Sequence, residues 1–258
     1  MSTIKKTIAA TVLFAAAAVS APQDAYSQSI PKGVKNVVLV HGAFADGSSW
    51  SKVIPGLTAA GLNVIAVQNP LISLEDDVAA TKRAIALMDG PVLLVGHSYG
   101  GVVITEAGND PKVAGLVYVA ALIPNDGQSV MDIVQPYPAA PGSAEFKPDA
   151  EGFISLSSKG IHQHFAQDLP EAERQVIFAT QTPWASKATV TKISTAAWKS
   201  KPSWAIIGTE DHMVTPDLAR AEAKMIKAKT TELKSSHVPM VSMPKKVTEI
   251  ILGAAREL

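Results

Sequence analysis

The chain of 258 residues is long enough to bury one sizeable core, and its 47% apolar and 18% charged residues exclude a disordered chain. Its 23 basic and 23 acidic residues cancel. No run of lysine or arginine lies on a periodic segment, so we expect neither nucleic acid nor an anionic membrane as a partner. A small neutral or weakly charged molecule fits this charge balance better.

Residues 1–27 have the composition of a secretory signal peptide. Lys5 and Lys6 precede an apolar run over residues 8–19, and Ala25-Tyr26-Ser27 offers a small-x-small cleavage site. The run is shorter than the roughly 20 apolar residues of a membrane span, so an uncleaved anchor is the weaker alternative. Without cysteine the chain has neither a disulfide nor an acceptor for a lipid anchor. We therefore expect a periplasmic or secreted protein without stable membrane insertion; the oligomeric state stays open.

From residue 36 the chain alternates short β-branched runs with longer amphipathic or alanine-rich runs, which predicts a parallel sheet with crossover helices. Strands are predicted over residues 37–41, 62–67, 92–97 and 113–120. Helices are predicted over residues 49–60, 74–88 and 99–108. Because these strands are apolar throughout, we expect helices on both faces of the sheet. The fold class is therefore α/β.

The alternation lapses over residues 122–201, which hold seven prolines and no strong strand pattern. This segment is predicted to be an insertion that lies over the sheet as a small helical cap, with helical parts at residues 161–167 and 170–180. Further strands are predicted at residues 203–207 and 230–233, and a last helix at residues 244–256. Residues 28–258 should thus form one domain with the cap inserted.

The segment with the strongest functional signal is Val-Leu-Leu-Val-Gly-His-Ser-Tyr-Gly-Gly over residues 92–101. A buried strand runs into G-x-S-x-G and then into a helix, which is the context of a nucleophile elbow. Gly96 and Gly100 remove side chains that would collide with the strand and helix, so Ser98 can stand above the sheet. A serine hydroxyl is a weak nucleophile at neutral pH and needs a base and a group that orients the base.

On these residues the chain resembles the α/β-hydrolases, and two further segments match that family's order of nucleophile, acid and base. Residues 208–216, Gly-Thr-Glu-Asp-His-Met-Val-Thr-Pro, are similar to the family's G-x-x-D-x-x-V turn, which implies Asp211 as the acid rather than Glu210. Residues 235–239, Ser-Ser-His-Val-Pro, lie where the family carries its base, which implies His237.

The resemblance also implies an oxyanion hole made by two backbone N–H groups. One belongs to Tyr99, directly after the serine, and the other to Ala43 in the turn His-Gly-Ala-Phe after the first strand. The remaining histidines are interpreted as structural: His41, His97, His162, His164 and His212. None of them has the spacing of metal ligands, so we expect neither a metal site nor a cofactor.

Within the family, residues 41–50 and 236–239 are similar to a group that holds methyl-salicylate-type esterases, hydroxynitrile lyases and small bacterial esterases. Hydroxynitrile lyases carry threonine where Ala43 stands and lysine where Val238 stands. Dehalogenase relatives carry aspartate where Ser98 stands. Ala43 and Val238 favour hydrolysis of an ester over cyanide elimination, and Ser98 distinguishes the chain from the dehalogenases.

The resemblance implies a serine hydrolase that cleaves carboxylic esters through an acyl-enzyme, without a cofactor. The alternatives are a cofactor-independent haloperoxidase, a lyase, or a ligand-binding protein with slow turnover. Aromatic residues that could line the pocket, or belong to the core instead, are Phe44, Tyr137, Phe146, Phe153, Phe165 and Trp184. A compact aromatic pocket would suit small or medium hydrophobic acyl or alcohol groups.

Overall fold

The computed structural model describes residues 33–258, so the predicted signal peptide over residues 1–27 lies outside the described residues. In chain order the strands are β1 (Asn36–Val40), β2 (Asn63–Ala66), β3 (Val92–His97), β4 (Val113–Val119), β5 (Phe146–Pro148), β6 (Phe153–Leu156), β7 (Trp184–Ala185), β8 (Ser203–Gly208) and β9 (Lys229–Leu233). The helices are α1 (Ile54–Ala59), α2 (Leu74–Ala86), α3 (Gly100–Ala107), α4 (Val130–Val134), α5 (Ser158–Gly160), α6 (Glu171–Thr180), α7 (Pro216–Met225), α8 (Pro239–Ser242) and α9 (Pro244–Glu257).

Six of the strands form one parallel sheet in the order β2-β1-β3-β4-β8-β9. Helices α2 and α3 pack together against β1 and β3, whereas α1 and α9 form a second group in which α9 packs against β3 and β4. Every residue of β1, β3 and β8 is buried, as expected for strands covered on both faces. The predicted α/β class and parallel sheet are confirmed.

One predicted helix, over residues 49–60, is shorter than expected. Gly47–Trp50 form a 3₁₀ turn capped by Asp46, whose carboxylate accepts the Ser48 N–H at 2.7 Å. The α-helix begins at Ile54, with Pro55 in its first turn. Proline fits a first turn because its missing N–H would have no partner there. A 3₁₀ turn and a shorter α-helix therefore replace the continuous helix.

The segment over residues 122–201 contains strands that the sequence did not indicate. Strands β5, β6 and β7 form a separate antiparallel sheet, so the cap holds a small sheet in addition to its predicted helical parts. Each of these strands has two to four residues, too few to display an alternating pattern. The predicted helical parts are present as a π turn over Ile161–Phe165 and as α6.

No helix within residues 33–258 combines the length and apolar character that a membrane span requires.

The turn after β3 leaves no room for a side chain at Gly100. A Cβ atom there would lie 2.6 Å from the carbonyl oxygen of Val40 and 2.7 Å from that of His41. Both atoms belong to the backbone, so neither can move aside without distorting β1 and the turn that follows it. The elbow and the end of β1 are therefore packed backbone against backbone.

We predict that Gly100→Ala lowers the free energy of unfolding by about 2 kcal/mol or more, because the added methyl overpacks this contact. The matched control is Gly253→Ala in α9, where an added Cβ meets no atom within 4 Å. There, alanine should raise the free energy of unfolding by about 0.5–1 kcal/mol through helix propensity. Urea unfolding of both variants checks the prediction, and a Gly100→Ala protein as stable as the parent would contradict it.

Candidate active site

Ser98 lies in a left-handed backbone conformation at the carboxyl end of β3, with φ of +54°. Its N–H donates to the carbonyl of Val119 at 3.2 Å, and its carbonyl accepts the N–H groups of Gly101 at 2.9 Å and Leu122 at 3.2 Å. Such a φ is uncommon outside glycine and persists only where neighbouring contacts hold it. These three bonds hold the strained turn and leave the hydroxyl free to face His237.

The three predicted triad residues converge although they are far apart in the chain. His237 Nε2 lies 2.8 Å from Ser98 Oγ, and His237 Nδ1 lies 2.8 Å from Asp211 Oδ2. His237 is 1% exposed and Asp211 is 2% exposed, so water competes little for these bonds. With Nδ1–H donating to the carboxylate, Nε2 is the ring nitrogen free to accept the serine proton.

The carboxylate of Asp211 is oriented by the loop that carries it. Its second oxygen, Oδ1, accepts the backbone N–H groups of Met213 at 2.7 Å and Val214 at 3.0 Å. The neighbouring carboxylate of Glu210 instead faces Lys234, at an N–O distance of 3.7 Å. Of the two acidic residues that the sequence offered here, Asp211 is the one that meets the imidazole.

Two aromatic rings support the ring of His237. His97 Nε2 donates to the His237 carbonyl at 2.7 Å, and the two ring centroids are 4.8 Å apart. Burial lowers the pKa of His97 well below its usual range, so this ring is neutral at neutral pH. The Phe165 ring packs against His237 with a centroid distance of 5.1 Å. These contacts restrict both the backbone and the side chain of His237.

The predicted oxyanion donors are each oriented by a bond at the opposite end of their peptide. The Ser98 carbonyl, which shares a peptide with the Tyr99 N–H, accepts the two N–H groups named above. The Gly42 carbonyl, which shares a peptide with the Ala43 N–H, lies 2.8 Å from His41 Nδ1. Because N–H and C=O of a trans peptide point in opposite directions, each N–H points away from its bonded carbonyl. Within residues 33–258, neither N–H is paired with another protein group.

His41 can hold the Ala43 turn in this way because its tautomer is set by its second nitrogen. His41 Nε2 accepts the N–H of Asn69 at 2.9 Å, which leaves the proton on Nδ1 to donate to Gly42. Burial lowers the pKa of His41, which favours the neutral ring that can both accept and donate. His41 and His97, which were predicted to be structural, therefore each orient a backbone group beside the site.

A cavity of about 480 Å³ lies over Ser98 and is bounded by Ala43, Tyr99 and His237. Four of the predicted aromatic residues line it, namely Phe44, Tyr137, Phe146 and Trp184. Apolar residues that sequence reasoning missed also line it: Leu122, Val130, Val134, Met213 and Leu218. No lysine, arginine, aspartate or glutamate of the described part is among the lining residues. The cavity is therefore uncharged and mainly apolar, with Gln135, Ser143, Thr189 and Thr215 as further polar lining residues.

Two predicted pocket residues lie elsewhere. Phe165 stands behind His237 and lines a neighbouring cavity of about 370 Å³. Phe153 pairs with Ala185 in the cap sheet and is absent from the lining of the catalytic cavity. The missed residues Val130 and Val134 were detectable in principle, because the i, i+4 spacing of two valines places them on one face of a helix. Met213 stands two residues after Asp211, within the motif that supplies the acid.

Of the residues over 33–258, no three histidine, aspartate or glutamate side chains are grouped so that they could hold a metal ion. His164 and His212 do meet, with 3.2 Å between their Nδ1 atoms. His162 faces Glu171 on the cap at 3.1 Å.

Residues 37–250 match the model of the alpha/beta hydrolase family. The chain belongs to the α/β-hydrolase family. It is 31% identical over 171 residues to a carbendazim hydrolyzing esterase of Nocardioides sp.. The aligned segment covers 60% of this chain and 68% of that protein. It is 25% identical over 259 residues to a pyrethroid hydrolase of Sphingobium wenxiniae, with 86% and 88% covered.

Solved structures share the fold of this α/β-hydrolase. Polyneuridine aldehyde esterase superposes with a TM-score of 0.73 at 21% identity, over 86% of this chain and 99% of that one. The two relatives are named an esterase and a hydrolase, which agrees with the esterase group that the sequence motifs indicate. The chain is accordingly a hydrolase.

We predict that His97→Ala slows the labelling of Ser98 by a fluorophosphonate about tenfold, because the His237 carbonyl loses a donor and its ring loses a supporting surface. Intact-mass spectrometry of time courses measures the rate. His162→Ala, on the cap surface, is the matched control and should label at the parental rate. Equal rates for all three proteins would show that His97 does not position His237.

Proposed function

We propose that this hydrolase is a serine carboxylesterase that acts through an acyl-enzyme on small or medium hydrophobic esters. The observation that carries the proposal is the continuous chain of hydrogen bonds from Ser98 Oγ through His237 to Asp211, at 2.8 Å for each link. Beside this chain lie the backbone N–H groups of Ala43 and Tyr99, which donate to no acceptor within residues 33–258. This is the set of groups that acyl transfer by serine requires.

In the proposed reaction Ser98 Oγ attacks the ester carbonyl while His237 Nε2 takes its proton, and Asp211 stabilises the resulting imidazolium. The carbonyl oxygen becomes an oxyanion held by the N–H groups of Ala43 and Tyr99. The carbon–oxygen bond to the alcohol then breaks, and the alcohol leaves with the proton from His237. Water attacks the acyl-enzyme with His237 again as the base, which releases the acid and restores the hydroxyl of Ser98.

The character of the cavity supports an uncharged substrate. Its lining is apolar and aromatic, and its volume of about 480 Å³ is at the size of small-molecule sites. A carboxylate or ammonium group on the substrate would be desolvated there without a charged partner, which is costly. The names of the relatives, an esterase and a hydrolase, support hydrolysis of an ester.

We further propose that the protein acts outside the cytoplasm, on the basis of the predicted signal over residues 1–27. Fractionation of cells that express the full chain tests this proposal.

Ser98→Ala should lower kcat for an activated aryl ester by at least about 10⁴-fold, because the nucleophile is lost. The matched control is Ser200→Ala, which removes an exposed hydroxyl of the same size and should leave kcat unchanged. Initial rates with the purified proteins decide the matter. If Ser98→Ala retains most of the activity, the serine mechanism is wrong, and slow turnover by the parent protein would favour a ligand-binding role.

Asp211→Asn should lower kcat by about 10³- to 10⁴-fold, because an amide cannot stabilise the imidazolium and permits the wrong histidine tautomer. Glu210→Gln, a neighbouring carboxylate that faces Lys234, is the control and should retain kcat. Parental activity in Asp211→Asn, or equal losses in the two variants, would remove Asp211 from the mechanism.

Two aryl esters of equal length test the proposed substrate class. The 4-nitrophenyl ester of butyric acid and the 4-nitrophenyl monoester of succinic acid share a leaving group, and they differ in a terminal carboxylate. We expect kcat/KM to be at least about 100-fold lower for the succinate, because its charge is buried without a cation. Each rate is corrected for spontaneous hydrolysis. Values within threefold of each other would contradict a cavity that selects neutral acyl groups.

A further inference from the structure

Asp77 is a fully buried carboxylate beside the nucleophile turn that the reaction scheme does not use. It lies in the first turn of α2 and is 0% exposed. Its Oδ1 accepts the backbone N–H of Leu71 at 2.8 Å, and its Oδ2 accepts the phenol of Tyr99 at 2.9 Å. Tyr99, whose N–H belongs to the proposed oxyanion hole, is therefore also held through the hydroxyl at the end of its side chain.

The partners of Asp77 extend this contact into the cap. Leu71 has a left-handed backbone with φ of +57°, and its carbonyl accepts the N–H of Ala185 in β7 at 2.8 Å. The neighbouring Trp184 packs its ring against Tyr99 with a centroid distance of 4.9 Å. Since both Tyr99 and Trp184 line the catalytic cavity, Asp77 connects the serine turn and one wall of the cavity through two separate bonds.

Asp77 in its ionised form does not increase the stability of the fold. Burial is the main cause that raises its pKa from an ordinary 3.8 to about 6, and the charge of Asp76 on the same helix adds to the rise. The bonds from Leu71 and Tyr99 oppose this rise without cancelling it. The folded protein therefore holds the proton more tightly than the unfolded chain, and the free energy of unfolding falls as the pH rises from about 4 to about 6.

We propose that Asp77 is a positioning residue for ester hydrolysis, which holds the Tyr99 side chain and the β7 wall in the arrangement that the oxyanion hole needs. This inference rests on the proposed function. A carboxylate can accept both donors at once, whereas a protonated carboxyl must use one oxygen as a donor itself. When Asp77 takes up a proton on Oδ2, that oxygen becomes the donor to the Tyr99 phenol oxygen and the Tyr99 O–H loses its charged acceptor, so the link between turn and cap weakens.

The charged or titratable groups around Asp77 make its effect separable from that of the triad. Tyr99 faces it from the nucleophile turn, Asp76 acts on it from its own helix, and Glu75 acts on Tyr99. The triad carboxylate, Asp211, is not among the causes that shift Asp77. Protonation of Asp77 should therefore lower the activity of the parent protein at acid pH in addition to any loss that the parent shares with Asp77→Asn.

The test compares the pH profiles of kcat/KM for a neutral aryl ester in the parent protein, Asp77→Asn and Tyr99→Phe. We expect kcat/KM of the parent, relative to that of Asp77→Asn, to fall by about tenfold as the pH is lowered from 8 to 4, because the protonated carboxyl binds the phenol no better than the amide does. At pH 8, Asp77→Asn and Tyr99→Phe should each lose about tenfold in kcat, because each removes the charge-assisted bond from the Tyr99 O–H to a carboxylate. Tyr99→Phe removes the bond through which Asp77 acts on the turn, so the ratio of its kcat/KM to that of Asp77→Asn should not change with pH.

Asp76→Asn is the matched control, because it changes an exposed carboxylate one residue away. It should keep the kcat of the parent at pH 8 and the tenfold fall relative to Asp77→Asn, with that fall displaced to lower pH because the charge of Asp76 raises the pKa of Asp77. A second readout is independent of activity: the Tm of Asp77→Asn relative to the parent should increase between pH 4 and pH 7, because the variant lacks the titrating carboxyl.

If Asp77→Asn retains the parental kcat and the parental pH profile of kcat/KM, and its relative Tm does not change with pH, the positioning role is wrong. The inactivity of Ser98→Ala would still support the proposed function, so the two failures are distinguishable. If Asp77→Asn does not fold, Tyr99→Phe decides alone: parental kcat and the parental pH profile of kcat/KM in that variant would overturn the inference.

Discussion

The left-handed backbone of Ser98 is the constraint on which the rest of the site depends. A φ of +54° at a serine is strained, and the turn holds it through bonds to β4 and to the start of the cap segment. Glycine at position 100 follows from the same geometry, because the turn lies in contact with the backbone at the end of β1. The parallel sheet supplies this contact, since β1 and β3 are neighbours whose carboxyl ends meet at one edge. The hydroxyl is thereby directed at the imidazole without any flexible connection.

Around this turn, buried polar side chains serve to orient backbone groups. His41 bonds the carbonyl behind the Ala43 N–H, and His97 bonds the carbonyl of His237. Both rings are buried and kept neutral by desolvation, which lets each one act as a hydrogen-bonding group of fixed tautomer. The proposed oxyanion hole is thus preorganised by bonds that lie outside the cavity, and a substrate would meet donors already aimed.

The cap takes part in this preorganisation as well as covering the cavity. Strand β7 is bonded to Leu71, and Trp184 in that strand packs on Tyr99. A lining drawn from both the cap and the sheet loops makes the shape of the cavity sensitive to how the two are joined. In the proposed scheme Asp77 connects the serine turn to the cap. Its buried charge is then explained by catalysis better than by the stability of the fold.

The sequence by itself determined the parallel α/β sheet and the G-x-S-x-G elbow, and its resemblance to the α/β-hydrolases implied Asp211 and His237 as partners of Ser98. The sheet and the elbow follow from local patterns, since a buried parallel strand is apolar throughout and a sharp strand-to-helix turn needs glycine at set positions. Only the tertiary structure decided the cap sheet, the place of Phe165 behind His237, and the burial of Asp77. The strands of the cap are two to four residues long and pair with partners distant in the chain, so no local periodicity marks them. Asp77 resembles an ordinary acidic first turn of a helix, although it shares the face of Leu74 and Thr81 that folding buries. Which partners a buried side chain meets depends on segments that come together only in the folded chain.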